Sequence, residues 1–278
     1  MNFFVNGGMS LTNCVYVCPR IESVMKMKRF FFVSILVLSG CLAANAQSGN
    51  RSNTTNSNAW LMYFGNHKVS EKWGIHAEVQ WRRHEFLSEN QQLLLRGGVD
   101  FYTPAKNRFT LGYAFVRTYP YGEFAVAGDF PENRIWQQFL TSQKIGNVNL
   151  SHRYRLEQRF LGNPATGTME NGRYENRFRY MAKLTLPIAK EWEKPMFLAV
   201  YDEVMLNFGK EVGYNLFDQN RLYGALGFTL TPHMKLEVGY LYQLVQLRTL
   251  DTDSKNRIEN NHTFQIGLFS VIPFFKAE

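Results

Sequence analysis

Residues 148–160 alternate between two faces. Asn149, Ser151, Arg153, Arg155, Glu157 and Arg159 fall on one; Val148, Leu150, His152, Tyr154, Leu156, Gln158 and Phe160 fall on the other. Successive side chains of a strand point to opposite sides, so a period of two reads as β-structure. A strand with one face in water also alternates, but its charged face is rarely this dense in arginine. The stretch also reaches the length, about 9–11 residues, that crosses a bilayer as a tilted strand. Comparable segments recur near 59–68, 73–86, 91–102, 108–119, 132–145, 147–160, 173–187, 196–208, 219–231, 233–248 and 261–274. The pattern predicts an all-β fold: a transmembrane antiparallel up-and-down β-barrel of about 10–12 strands within residues 59–278.

The connections alternate as well. Short ones fall at 70–71, 103–107, 146–147, 187–195 and 231–232, and longer ones at 87–90, 120–131, 161–172, 209–218 and 249–260. Outer-membrane barrels pair short periplasmic turns with long outer loops in this way. Single-chain bacterial barrels close with an even number of strands. The eleven segments therefore point to ten or twelve, with 59–68 an N-terminal extra or one strand unmarked.

The face that would meet lipid can be read strand by strand. Ile75, Ala77, Val79 and Trp81 alternate with His76, Glu78, Gln80 and Arg82, and Leu93, Leu95, Val99 and Phe101 with Gln92, Arg96 and Asp100. Leu222, Leu226, Phe228 and Leu230 alternate with Arg221 and Tyr223. An arginine turned to mid-bilayer lipid costs about 2–4 kcal/mol, which fixes the register. The tryptophans Trp60, Trp73, Trp81, Trp136 and Trp192 read as interface-belt residues, where an amphipathic ring suits the headgroup layer.

Composition changes the picture mainly at the N-terminus. Residues 1–24 read as an over-extended start, and 25–46 as a signal peptide with a basic Met25–Arg29, an apolar Phe30–Leu38 and a small-residue Ala44-Asn45-Ala46 site. Leu38-Ser39-Gly40-Cys41 offers a competing lipoprotein cleavage at Cys41. Residues 47–58, rich in Ser, Asn and Thr, read as a flexible polar tether. The three cysteines, Cys14, Cys18 and Cys41, all precede Gln47, so the exported chain would carry no thiol. Beyond the leader no apolar run of helical-span length occurs, although 45% of residues are hydrophobic and 15% aromatic; alternation dilutes hydropathy in this way. The net charge of +8 does not argue for nucleic acid, because the arginines sit inside alternating strands rather than in a basic run. The expected location is the outer membrane of a Gram-negative cell, with outer-membrane lipids as surroundings and periplasmic chaperones and the barrel-assembly machinery as partners in biogenesis.

Trp60, Lys72-Trp73, Gln80-Trp81-Arg82, Gly112-Tyr113, Arg134-Ile135-Trp136-Gln137-Gln138, the Arg-x-Arg-x-Glu-x-Arg run from Arg153 to Arg159, Arg177-Phe178-Arg179 and Asp202-Glu203 carry a resemblance. Over roughly residues 59–274 the chain resembles domain of unknown function 2490, an exported bacterial β-barrel family. The resemblance implies a barrel and an outer-membrane location, and it brings no assigned activity and no catalytic residues.

The candidate chemistry lies on the inward face. Arg153, Arg155, Glu157 and Arg159 face Glu175, Arg177 and Arg179 on the next strand, and Arg82, Arg96 and Arg221 join from elsewhere around the wall. One reading is an ion-pair network that fills a narrow lumen, since small barrels pack their interiors with side chains. The other is an anion or carboxylate site, because arginines in excess of acids leave bidentate donors unpaired. An outer-rim lipid hydrolase is the enzymatic alternative. Ser151-His152 does not supply it, because adjacent strand residues point to opposite faces. No Gly-x-Ser-x-Gly or His-Glu-x-x-His pattern occurs, and neither a cofactor nor a metal site is expected.

Overall fold

A computed structural model describes residues 51–189, 193 and 195–275. The leader with both candidate cleavage sites, the three cysteines, Trp192 and the 276–278 tail lie outside the described residues. Eleven strands are present among those described: β1 (Arg51–Lys68), β2 (Trp73–His84), β3 (Glu89–Tyr102), β4 (Arg108–Thr118), β5 (Phe130–Ile145), β6 (Val148–Asn163), β7 (Thr168–Ala189), β8 (Met196–Phe208), β9 (Phe217–Thr231), β10 (Met234–Leu250) and β11 (Asn256–Ser270). Each pairs with its sequence neighbours, and β1 pairs with β11 to close a barrel. Closure leaves no sheet edge, so every wall strand has its backbone groups paired on both sides.

The closing seam corrects the even strand count. All sequential pairs are antiparallel, but β1 and β11 run parallel, in register from Arg51↔Asn256 to Gly65↔Ser270. A parallel ladder satisfies the same backbone donors and acceptors with slanted bonds, so an odd number of strands closes as completely as an even one. The seam also corrects the tether, because β1 begins at Arg51 and the polar stretch 51–58 is wall. Its alternate residues Thr54, Asn56 and Asn58 are buried, and Asn56 donates to the Asn261 side chain at 2.9 Å. Polar residues on both faces resemble a loop in composition, yet they suit a strand whose inner face meets a polar lumen.

The two sets of connections sit at opposite ends of the barrel. Two of the longer ones shrink in the structure, because the strands run on: β6 and β7 are joined by residues 164–167, and β10 and β11 by 251–255. The extended connections are 119–129 and 209–216. The first folds inward over the barrel mouth. Gly122 there has φ +64°, and a Cβ on it would meet the Asn56 side chain at 2.6 Å. Beside it, the Tyr121 hydroxyl donates to Glu259 at 2.8 Å. Burial, and then the Glu259 charge, push that hydroxyl well above the usual phenol range, so it stays a donor.

The outward face is apolar around the barrel. Leu61, Ile75, Val99, Leu111, Ile135, Val200, Leu222 and Phe264 are all exposed there. Six aromatics stand directly opposite one another across β2–β7: Trp73↔Phe101↔Phe109↔Phe139↔Tyr154↔Tyr180. Their rings touch at 5.0 Å between Trp73 and Phe101, 4.7 Å between Phe109 and Phe139, and 5.1 Å between Tyr154 and Tyr180. Trp73 and Trp81 lie on this outer surface. Trp60 and Trp136 do not: both are buried inside the barrel, which corrects their assignment to the belt.

The parallel seam generates a direct test. Leu61 and Ile266 are register partners on the outer face of β1 and β11. With residues 1–46 omitted, and with them all native cysteines, Leu61→Cys/Ile266→Cys is expected to form an intramolecular disulfide, because neighbouring strand Cα atoms fall within disulfide reach. A faster-migrating, reductant-sensitive band on denaturing gels reads it. Cross-linking that requires a one-residue offset, or none at all, would remove the seam.

Candidate functional site

The lumen is organised around Glu157, the acid of the Arg-x-Arg-x-Glu-x-Arg run on β6, which is fully buried. β6 places it opposite Arg177 of β7. Arg177 donates to its Oε2 through Nε at 2.9 Å and Nη2 at 2.5 Å, and Arg179 Nη1 donates to Oε1 at 2.9 Å. Three further guanidinium groups stand close: Arg96 at 3.5 Å, Arg155 at 3.8 Å and Arg134 at 3.9 Å. Five arginines from β3, β5, β6 and β7 thus converge on one carboxylate. The electrostatic attraction is strong because water is excluded, and it has to be, since buried ions left unpaired are costly.

Other acids extend the network on either side. Glu203 of β8 takes Arg179 in a bidentate pair (2.9 and 3.0 Å) and Arg153 at 2.6 Å. Glu132 of β5 takes Arg134 at 2.5 and 2.8 Å and Arg159 at 2.6 and 3.1 Å, while Arg159 also donates to Glu175 at 2.5 Å. Glu78 of β2 receives two bonds from Arg96 Nη1 at 2.6 Å. Arg177 reaches on to Asp218 at 2.8 Å. The ten residues singled out in the sequence, Arg82, Arg96, Arg153, Arg155, Glu157, Arg159, Glu175, Arg177, Arg179 and Arg221, therefore all face one lumen. Nine of them belong to a continuous chain of ion pairs, Arg221 only at its margin through Glu203 at 3.9 Å; Arg82 stands apart from it.

Sequence reasoning missed the two inward tryptophans. Trp60 carries the guanidinium of Arg82 at 4.0 Å and that of Arg221 at 5.2 Å from its ring centre. Trp136 carries Arg155 at 4.7 Å and Arg96 at 5.3 Å. An indole face is the best π-partner for a guanidinium, so each ring seats two cations. Trp136 lies flat against the wall because Gly112 on β4 has no side chain; a Cβ there would sit 2.6 Å from two of its ring carbons. The signal was strand parity, since Trp136 shares its phase with Arg134 and Gln138.

A family model described as "Protein of unknown function (DUF2490)" matches residues 57–254. The chain belongs to the DUF2490 family. The matched span covers β2 to β10 and reaches from the polar half of β1 into the β10–β11 connection. No curated protein and no solved structure shows a significant match.

In this DUF2490 barrel a cavity of about 450 Å³ remains at the centre of the network. Twelve cationic side chains line it against five carboxylates, and the buried Glu157, Glu175, Asp100 and Glu259 behind them bring the acids to nine. The interior is therefore ion-paired but positive.

Among the described residues no serine is hydrogen-bonded to a histidine. Ser151 lines the cavity while His152 is tied to the Tyr180 hydroxyl at 2.9 Å, on opposite faces. The seam brings Ser57 opposite His262. The His262 Nδ1 is bonded to the Tyr240 hydroxyl at 2.5 Å, and no hydrogen bond joins the serine to the imidazole. Among the described residues no group of three His, Cys, Asp or Glu could hold a metal ion.

Glu157→Gln is expected to lower folding stability by about 3–5 kcal/mol, because it leaves a cluster of buried arginines without their central counter-charge. Arg117→Ala, which breaks the half-exposed Arg117–Asp129 pair at the barrel mouth, is expected to cost no more than about 1 kcal/mol. Urea titration of the protein folded in micelles, followed by tryptophan fluorescence, compares the two. Equal midpoints would remove Glu157 from the centre of the network.

Proposed function

We propose that the protein is an exported, non-enzymatic outer-membrane β-barrel whose Arg/Glu-lined lumen is largely filled and serves as a structural core or a narrow anion-binding path. The observation that carries the membrane reading is the outer surface: an apolar wall all the way round, with aromatics in register across six strands. In water such a surface would aggregate; in a bilayer it is the lipid face and interface girdle of a transmembrane barrel. The anion reading rests on the surplus of arginines around the central cavity. The hydrolase alternative gains no assembled nucleophile and base from the geometry.

Two measurements test this. Membrane fractionation is expected to recover the protein with the outer membrane, and recovery in the soluble periplasm would sink the location. In planar bilayers the protein is expected to pass only a small, anion-preferring current, whose preference falls when Arg155→Ala and Arg179→Ala are combined. A large unselective conductance would mean the lumen is open rather than filled.

A further inference from the structure

We propose that Arg82 and Arg221, laid against Trp60 in the lumen, form a binding site for a doubly charged oxyanion of the phosphate class. The inference deepens the anion reading above and rests on it. Its ground is a difference in how the lumen's arginines are held. Most are paired with carboxylates within hydrogen-bond distance, as around Glu157, Glu132 and Glu203. These two are held by glutamine, as Arg155 is by Gln138, but they alone share the indole of Trp60.

Arg82 donates Nε to Gln80 Oε1 at 3.0 Å and Nη1 to Gln92 Oε1 at 2.7 Å, and no carboxylate of the described residues lies within ion-pair distance of it. Arg221 donates Nε to Gln219 Oε1 at 3.0 Å. Its nearest acid, Glu203, stands 3.9 Å away and is already engaged by Arg153 and Arg179. No hydrogen bond among the described residues uses the terminal nitrogens of Arg221. An amide oxygen orients a guanidinium as a carboxylate does, but leaves its charge intact. Glutamine keeps two oriented cations uncompensated beside a cavity.

The charge and shape of the ligand follow. Both guanidinium groups share one indole, so they are separated by no more than their two ring distances laid end to end. Two adjacent cations favour a charge of minus two, and guanidinium forks match the oxygens of a phosphate. A tetrahedral dianion presents oxygens toward both forks at once, whereas a single carboxylate offers one edge. The cavity, about 450 Å³, has room for an ester group beyond the ion itself.

The test is thermal unfolding of the chain folded in micelles, titrated with inorganic phosphate at constant ionic strength against sodium chloride. A saturable rise in Tm is expected, since a ligand that binds only the folded state stabilises it. A shift in Trp60 fluorescence should accompany it. Arg82→Gln is expected to reduce apparent phosphate affinity at least tenfold. Gln92→Glu gives Arg82 a carboxylate at the existing contact, so it should abolish the response while leaving Tm without phosphate equal or higher, an outcome misfolding cannot mimic. A parallel titration with glycerol phosphate separates a free ion from a headgroup-type ester, and a response to either supports the site. A rise matched by chloride, or one that survives in both variants, overturns it. Membrane recovery without a phosphate response would sink the site alone, and a phosphate response from a soluble protein would sink the location alone.

Discussion

The barrel depends on a carboxylate that cannot be solvated. Glu157 is fully buried on the lumen face, and five guanidinium groups from four strands surround it in place of solvent. The arginines in turn need more acids than Glu157, and Glu132, Glu203 and Glu175 link them to their neighbours. Such a network is not self-evidently stabilising, because each ion gives up its hydration to join it. It is directional, however. Bidentate forks fix both partners in angle as well as distance, and they tie non-adjacent strands to one another through the interior. A barrel that is apolar outside has nowhere else to put its specificity.

The outside and the inside answer to the same period of two. One residue slip in any strand would carry arginines to the apolar outer face and leucines into the charged lumen, so the register is held from both sides at once. The aromatic row across β2–β7 and the arginines behind it are therefore a single feature seen from two sides. The inward tryptophans are the exception that explains the rest. Each seats two guanidinium groups on one ring, a contact that carboxylates do not supply.

Alternation made most of this legible in the sequence. The faces of β2, β3, β6 and β9, and the grouping of Glu157 with Arg177 and Arg179, follow from parity and neighbouring strands alone. Three things did not. Residues 51–58 have polar side chains on both faces, and composition alone does not separate such a strand from a linker. Trp60 and Trp136 were read from residue type, which favours the interface, although the phase of Trp136 with Arg134 and Gln138 already pointed inward. The parallel seam joins segments some two hundred positions apart, and no local pattern encodes the direction in which two strands meet. Family membership brings no assigned activity and leaves the chemistry to be argued from the lumen.

The parallel seam reaches beyond geometry. In a barrel of paired hairpins both chain ends emerge on one side, and the polypeptide can be laid into a membrane from that side by hairpins that carry only their loops across. Here β1 starts at the end where residues 119–129 fold over the mouth, and β11 finishes at the opposite rim. On the transmembrane reading proposed above, one end would therefore pass through the bilayer on its own. The first half of β1, rich in Asn, Ser and Thr, is the segment such a crossing would involve, and its backbone partner there is β11.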